Sequence, residues 1–401
     1  ILTVNLPAGV AGSIVSLADY AATWQTNNVT VTPNGTEKIG SINTSVTLNT
    51  EGQSVTFVYV DATQGWINTM DSTSNVRGQT FITATGGTPS QDGDYEIRTF
   101  TGPGTFCVSA AASSAANNVV DYVVAAGGGG GGVGFSSGAG GGAGGGFIYY
   151  ANTTTNPQAC GPALPINNFP SGTAITVTAT PYSIAVGGGG AQAPNSPSTV
   201  ASNGVNSTFG PVTSAGGGGG GSEGVGYQGA TGGSGGGGGY HSGSTGSGAG
   251  NTPPTSPAQG TAGGNFGGPT PGERLGGGGG GGICAGIPGN TSSPAPTRGN
   301  GGAGGGVKGF GTSGESCGSH YFFSGGGGAQ GQYQPRGSGD VAKGGIGGGG
   351  NGSDDNPPAP NVAEAGTDNT GGGAGGAIGL VAQSPASNGG SGIVIIRYKF
   401  Q

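Results

Sequence analysis

Acidic and histidine side chains that could support catalysis are few and scattered in this chain. Asp354 and Asp355 form a pair of carboxylates, the residue type that glycoside cleavage requires, but no candidate base lies near them in the sequence. We read them as solvated loop charges, or at most as oxygen ligands of a loosely held Ca²⁺. The other candidates are isolated residues outside any triad motif, namely Glu223, Glu273, Glu315, Glu364, His241 and His320. We therefore expect no enzymatic activity, no catalytic residue, no metal site and no cofactor.

Four cysteines offer a second kind of chemistry. Their spacing matches no zinc or redox motif. A disulfide between Cys284 and Cys317 could join two loops, and the alternative, slightly favoured, is that all four cysteines are unrelated thiols. The remaining two are Cys107 and Cys160.

Aromatic residues beside polar ones are the candidates for binding. They suit stacking on sugar rings or packing on a protein surface. The alternative is that each ring only covers the flank of the glycine-rich region, and for any single ring this is at least as plausible. Three adjacent aromatic residues are the sharpest cluster because they cannot all point inward. The candidate receptor-binding residues are Tyr240, His241, Tyr321, Phe322, Phe323 and Tyr333.

The elements that must position these residues are runs of glycine. The chain has 401 residues, of which 103 are Gly, and about eleven near-pure runs interrupt residues 123–392. They lie near 127–134, 138–146, 187–190, 216–221, 232–239, 263–268, 276–282, 300–306, 325–332, 344–350 and 371–379. Gly/Ser sequence is ordinarily a flexible linker. Here, however, the runs have similar lengths, and polar residues gather between them.

The alternative to a linker is a packed bundle of left-handed helices with three residues per turn. Such helices have no internal hydrogen bonds, so every N–H and C=O must find a partner on a neighbour. A Cβ would block close approach, which explains the glycine. The sequence lacks the Gly-X-Y period of collagen, and no run is followed by the Lys-Ser or Lys-Thr of a phosphate loop. We therefore favour the bundle.

Strand-like sequence surrounds the glycine block. We predict a β-rich module over residues 1–75, a linker over 76–94, strands over 95–126 that cap the glycine domain, the bundle with its long loops over 127–392, and a closing strand over 393–401. The fold class is thus mostly irregular and β. The module could be a sandwich or an intertwined trimer. The capping strands, with 175–179, 184–186 and 393–400, could form one small sheet.

Overall composition excludes some partners. Only 7% of residues are charged and the net charge is −7, so no basic footprint for nucleic acid exists. No apolar run approaches the length of a membrane span. Long inserts, at 191–215, 240–262, 283–299, 307–324, 333–343 and 351–370, are expected to alternate between the two ends of the bundle if successive runs are antiparallel. Loops on a rigid scaffold are where binding residues usually lie.

Two stretches resemble phage tail-fibre proteins. WQTNNVTVTPNGTEKI (24–39), with residues 56–61 and 65–66, looks like a repeat module of tail fibres from marine and cyanobacterial phages. Residues 100–106, 119–125, the glycine runs and GGSGIVIIRY (389–398) resemble the glycine-rich domain of phage tip proteins, including the tail-tip adhesins of T-even phages. The closing GIVIIRY is the best single marker. The chain departs from the T-even adhesins by carrying its own β-rich module.

The resemblance implies a non-enzymatic adhesin that presents variable loops on a sandwich of polyglycine helices. It implies a host-surface receptor and other virion proteins as partners, a homotrimer, and a location at the distal tail fibre. Two alternatives are open. One is a structural extracellular filament or surface protein in which the bundle is only a spacer. The other, weaker, is an ice-binding protein, for which these inserts are too long and irregular.

Overall fold

A computed structural model describes most of the chain. The described residues are 2–71, 81–135, 138–152, 159–161, 164–165, 172–194, 199–224, 227–240, 246–267, 275–289, 298–331, 341–353, 362–379 and 387–401. They divide into two compact units, one of 1–83 with 109–118 and 399–401, the other of 84–108 with 119–398. Each unit is described separately.

The described residues are mostly β-structure and loops, with several small sheets, one 3-10 turn (Ala115–Asn118) and no α-helix. None of their helical residues forms a segment that could span a membrane. The strands are β1 (Leu2–Asn5), β2 (Ile14–Ala18), β3 (Val29–Thr32), β4 (Val46–Leu48), β5 (Ser54–Asp61), β6 (Gly65–Asp71), β7 (Thr83–Thr85), β8 (Thr88–Asp92), β9 (Tyr95–Phe100), β10 (Gly104–Ala110), β11 (Val119–Ala125), β12 (Val133–Gly134), β13 (Phe147–Tyr150), β14 (Ala159–Gly161), β15 (Leu164–Pro165), β16 (Ile175–Thr176), β17 (Pro181–Ala185), β18 (Ser207–Phe209), β19 (Val212–Ser214), β20 (Gly305–Val307), β21 (Glu315–Cys317), β22 (His320–Phe323), β23 (Ala377–Ile378) and β24 (Ile393–Lys399).

The first unit contains two three-stranded sheets, of order β1-β3-β4 and β2-β5-β6. Alternation directs Val55, Phe57 and Tyr59 of β5 inward. They join Val29 and Val31 of β3 in one buried cluster, so the two sheets share a core. Strand β2 was not predicted from the sequence. Its apolar residues lie on both faces of the strand, so its sequence lacks a clean alternation of apolar and polar residues.

The predicted linker 76–94 contains β7 and β8 in its described part. All five residues of β8 are exposed, and the strand pairs with β9 through a turn at Gly93. A polar edge strand carries no apolar alternation, so composition alone indicated a linker.

The strands predicted to form one sheet lie in two. β13, β11, β24, β9 and β8 are neighbours in one sheet, in which β16 also pairs with β11. β10 and β17 instead belong to a second sheet, of order β19-β18-β17-β10-β7. The short strands β18 and β19 form a hairpin around Gly210, which has φ of 54°.

A buried ion pair joins the central strands of the first of these sheets. Arg397 on β24 donates from Nη1 to Oδ2 of Asp121 on β11 (2.9 Å), and its guanidinium lies 3.7 Å from the centre of the Tyr95 ring. Asp121 Oδ1 also accepts the N–H of Asn152 (2.7 Å). Burial raises the pKa of Asp121 above its ordinary value, although both partners oppose that shift.

The glycine segments bond to one another with a period of three residues. In the run 126–132, N–H groups at 126, 129 and 132 donate to carbonyls at 146, 143 and 140. Those at 127 and 130 donate to 205 and 202, and those at 128 and 131 donate to 390 and 387. Successive residues therefore face three different neighbours, and every third residue returns to the same one.

Carbonyl groups of the same run face three further segments. Those at 127 and 130 accept from 217 and 220, those at 128 and 131 from 190 and 193, and those at 129 and 132 from 374 and 377. The run thus has six hydrogen-bonded neighbours, and the run 140–146 is likewise surrounded. We call this set of hydrogen-bonded segments the glycine array. The backbone pairing removes the usual cost of burying unpaired peptide groups.

Close approach explains why these positions are glycine. A Cβ on Gly130 would lie well under 3.0 Å from the Ala191 carbonyl oxygen, and one on Gly142 would meet the carbonyls of Gly129 and Gly130 as closely. Both obstacles are backbone atoms that cannot rotate away. Gly188 lies exposed at the rim, where an added Cβ would have no atom within 4 Å.

Asparagine side chains replace missing neighbours at the rim of the array. Oδ1 of Asn203 accepts the N–H of Gly219 (3.0 Å), and Oδ1 of Asn206 accepts the N–H of Gly216 (2.9 Å). The two acceptors and the two donors are each three residues apart, which repeats the period of the backbone pattern. The single asparagines inside glycine-rich sequence are therefore part of the scaffold.

We expect Asn203→Ala to lower the free energy of unfolding by about 1–2 kcal/mol, because the buried Gly219 N–H loses its acceptor. Asn203→Asp keeps an acceptor at that place and should cost less. Chemical denaturation of both variants measures the difference. Equal stability of the alanine and wild-type chains would show that the bond contributes nothing.

Candidate binding surface

The glycine array has two distinct ends. At one end, which we call the sheet end, β11 leads into the run 126–132 and β13 and β24 follow the runs 140–146 and 387–392. Here the Ala126 N–H donates to the Gly146 carbonyl (3.1 Å). At the opposite end, which we call the loop end, the Gly132 N–H donates to the Gly140 carbonyl (3.0 Å). The direction in which each other segment runs between these two ends follows from the array residues to which it is hydrogen-bonded.

Backbone bonds connect the described residues of the loop end. The N–H of Glu223 donates to the Val133 carbonyl (3.0 Å), that of Tyr240 to Gly138 (2.9 Å), and that of Gly379 to Gly134 (2.8 Å). Described segments also end here on both sides of nine stretches that lie outside the described residues: 136–137, 195–198, 225–226, 241–245, 268–274, 290–297, 332–340, 354–361 and 380–386. Nine of the chain's returns into the array therefore start from the loop end, whereas the connection that contains β20, β21 and β22 lies at the sheet end.

The long inserts predicted from sequence are partly array. Within 240–262, the Gly248 N–H donates to Gly236 and the Asn251 N–H to Gly233, so residues 246–251 cross the array. Within 351–370, the Glu364 N–H donates to Asn351 and that of Thr367 to Gly348. These crossings could not be predicted from the sequence, because segments at the rim of the array carry Ser, Thr, Asn or Glu on their outward side and so do not look like glycine runs. The inserts are therefore shorter than the sequence indicated. Because these crossings divide the inserts, the chain also returns to the loop end more often than the sequence indicated.

Tyr240 is the candidate binding residue that lies at the loop end. Its ring meets the buried ring of Phe266 edge to face, with 5.0 Å between centroids. Its carbonyl accepts the N–H of Gly224 (2.9 Å), so backbone bonds on both sides fix its position. The side chain is half-buried. His241 and Tyr333 lie outside the described residues.

The cluster Tyr321, Phe322 and Phe323 lies elsewhere, on β22 at the sheet end. Phe322 and Phe323 are 3% and 0% exposed, and Phe323 stacks on Phe147 with 6.3 Å between centroids. Tyr321 packs half-buried against the same core. The three rings do not all face this core, but Phe322 and Phe323 are both buried in a strand that lies between β20 and β21. The two phenylalanines are core residues.

Three of the isolated glutamates noted in the sequence form hydrogen bonds within the chain. Glu315 Oε2 accepts the N–H groups of Gly347 and Gly348 (2.7 Å each), and Glu223 Oε2 accepts that of Phe135 (2.6 Å). Glu364 binds Asn351. Asp354, Asp355 and Glu273 lie outside the described ranges. Among described residues, no group of three potential metal ligands occurs.

The cysteines of this part of the chain are thiols in the structure. Cys284 is half-buried and Cys317 is exposed, and both are free, as is Cys107. The alternative of a disulfide between Cys284 and Cys317 is therefore not realised. Cys160 lies in strand β14, and its side chain is not among those that the structure describes.

A comparison with protein families matches the part of the chain that contains the array and its sheets. A model described as "Glycine-rich domain" matches residues 101–399, from the turn before β10 to the end of β24. The chain belongs to the glycine-rich domain family. No curated protein matches it. In this glycine-rich domain protein, the matched stretch contains both the array and its two ends, so the loop end is a feature of the domain itself.

Proposed function

We propose that the glycine segments are polyglycine II helices packed side by side as a bundle. The three-residue repeat of the hydrogen bonds supports this, because a left-handed helix of three residues per turn directs successive N–H groups to three sides. The runs 126–132 and 140–146 contain no residue with positive φ, as that conformation requires. At about 3.1 Å per residue, seven residues would span roughly 20 Å.

We infer from this scaffold that the protein attaches a phage tail fibre to its host without enzymatic activity. The observation that carries the proposal is that described segments on both sides of nine stretches of the chain end together on one side of the array, in which every N–H of the runs 126–132 and 140–146 is hydrogen-bonded. Rigid scaffolds that present many loops on one face are suited to recognition. The receptor would be an outer-membrane protein or a glycan of the host surface, and the chain would lie at the distal end of the virion's fibre. Nucleic acid is not among the proposed partners.

The N-terminal unit is proposed to assemble the fibre as a homotrimer, together with other virion proteins. Large apolar side chains are exposed on this unit, which is the condition for association: Leu2 (62%), Val10 (71%), Ile14 (65%) and Met70 (70%). Sedimentation should give three times the 37.5 kDa chain mass. A monomer at micromolar concentration would contradict this part of the proposal.

The alternative function is a structural extracellular filament in which the array is only a spacer. A spacer needs tight turns at both ends. At the loop end, nine residues of sequence instead separate Gly331 from Val341, the described residues on either side of one such stretch. Their length and dissimilarity favour recognition over spacing.

Attachment can be tested with the full-length chain labelled with a fluorophore and mixed with a panel of bacterial strains, marine isolates and cyanobacteria included. We expect binding to a subset of strains. Replacing residues 332–340 or 268–274 by Gly/Ser segments of equal length should reduce binding at least tenfold. The control is Thr312→Gly, at an exposed residue of the sheet end, which should change nothing. Binding to no strain, or binding indifferent to the loop replacements, would favour the spacer.

A further inference from the structure

The sheet end contains a cavity that the proposed attachment surface does not use. Its volume is about 360 Å³, near the lower limit of the roughly 300–1,000 Å³ of small-molecule sites. Four separate parts of the chain form its walls: Tyr122 of β11 with Ile148 of β13, residues 172–173, the β18–β19 hairpin with its flanks, and the loop that follows residue 251. The loop end lies at the opposite edge of the array.

The cavity wall is neutral and mixed in polarity. None of the described residues that line it carries a charge. Apolar faces come from Ile148, Pro211, Pro253 and Pro257, and side-chain hydroxyls from Thr173, Thr213, Thr255 and Ser256. A charged ligand would find no counter-ion here, and a purely apolar one would cover hydroxyl groups without giving them partners, which costs free energy.

Asn206 gives the wall a directed donor. Its Oδ1 accepts the Gly216 N–H (2.9 Å), and this bond fixes the amide orientation. Asn206 lines the cavity, and its Nδ2 group, which the bond to Gly216 does not use, is the donor that this amide can offer there. The residue is exposed, so the group is accessible.

The loop on the opposite wall is rigid before any ligand arrives. Asn251 Oδ1 accepts from the backbone N–H and the hydroxyl of Thr255 (3.0 and 2.8 Å) and from the Gln259 N–H (3.2 Å). The side chain of Gln259, 1% exposed, donates to the Pro253 carbonyl (2.9 Å) and accepts from Ala215 N–H (2.7 Å). These bonds attach the loop to the array, and a preformed wall lowers the ordering cost of binding.

We propose that this cavity binds the ring of an uncharged carbohydrate. The C–H face of a pyranose matches the proline and isoleucine surfaces, and its hydroxyls match the threonine and serine hydroxyls and the Asn206 amide. The absence of charge on the lining residues restricts the class to neutral sugars. The site is separate from the attachment surface, so it does not depend on the proposed host binding.

Saturation-transfer NMR on the full-length protein tests this assignment with four probes, the methyl glycosides of glucose, galactose and mannose and of N-acetylglucosamine. We expect at least one to bind with a millimolar or lower Kd. Thr213→Phe fills the cavity, and Asn206→Asp keeps the acceptor for Gly216 but removes the donor. Each should weaken binding at least tenfold. Thr312→Phe is the matched control, since Thr312 is exposed and does not line the cavity.

Each variant is first shown to unfold at the wild-type temperature. Two results would overturn the proposal: none of the four glycosides receives saturation from the wild-type protein, or both cavity variants bind as tightly as the Thr312→Phe control. No host cell enters the measurement, so failure here leaves the attachment test unaffected.

Discussion

Replacing Gly130 by alanine should destabilise the protein by more than about 3 kcal/mol, whereas the same change at Gly188 should be neutral or slightly stabilising. Gly130 is buried between six segments, and its new Cβ would meet the Ala191 carbonyl oxygen well under 3.0 Å away. Forced overpacking alone costs about 1–3 kcal/mol. The obstacle is a backbone atom, so relief requires shifting a whole segment.

Shifting that segment would also strain the hydrogen bonds of its neighbours. The Gly130 N–H donates to Ser202 (3.0 Å) and its carbonyl accepts from Gly220 (2.9 Å). Each bond contributes roughly 1 kcal/mol net. The loss of several bonds adds to the overpacking term, and the variant should then fail to accumulate as folded protein at 37 °C.

Gly188→Ala is the matched control because it changes the same residue type in the same kind of run. Nothing lies within 4 Å of the new methyl group. Alanine at a compatible position restricts the unfolded chain and stabilises by about 0.4–1 kcal/mol. Thermal and chemical unfolding of both variants gives the comparison. Equal stabilities would mean that close backbone contact does not hold the array together.

Arg397→Met should lower the free energy of unfolding at neutral pH by about 3–5 kcal/mol, because it leaves the buried Asp121 carboxylate without its cation. Asp121→Asn should cost less. Burial raises the pKa of Asp121, so the site disfavours its charged form relative to water, and asparagine keeps the side-chain shape without that charge. The double variant Asp121→Asn, Arg397→Met should recover most of the loss.

The pH dependence of Arg397→Met follows from the same pKa. A folded-state pKa above the unfolded value means that protonation of Asp121 favours folding below that pKa, and that this contribution is lost as the pH rises through it. The deficit of Arg397→Met relative to wild type should therefore shrink as the pH falls towards the ordinary Asp value of 3.8. Urea unfolding at several pH values measures it. A deficit below about 1 kcal/mol at neutral pH, as for an exposed pair, would show that the ion pair is dispensable.

Strands with a continuous or alternating apolar pattern could be predicted from the sequence. The predicted 95–100 is β9, and 119–124 and 393–400 agree with β11 and β24 within one residue. In β24 the side chains on both faces of the strand are buried, so apolar residues occupy successive positions and the strand is easy to predict. β8 and β19 gave no comparable signal, because they are short and mostly polar or exposed.

The location of the loops could not be predicted, for a different physical reason. Each loop's end depends on how many times the preceding chain has crossed the array. Crossings such as 246–251 and 362–367 carry Ser, Asn or Glu on an open side and do not look like glycine runs. The aromatic cluster at 321–323 was misplaced for a similar reason, since burial between two strands depends on pairing across the chain and not on local sequence.

Amide hydrogen exchange of the full-length protein, followed at the glycine residues of 126–132 and 140–146, tests the interlocked array most directly. Every N–H of these two runs has a backbone acceptor on another segment. We expect exchange at these residues as slow as in the adjoining strand β11, and governed by opening of the whole unit. Exchange within seconds would contradict the array and would leave the glycine-rich region without the rigidity that presentation of the loops requires.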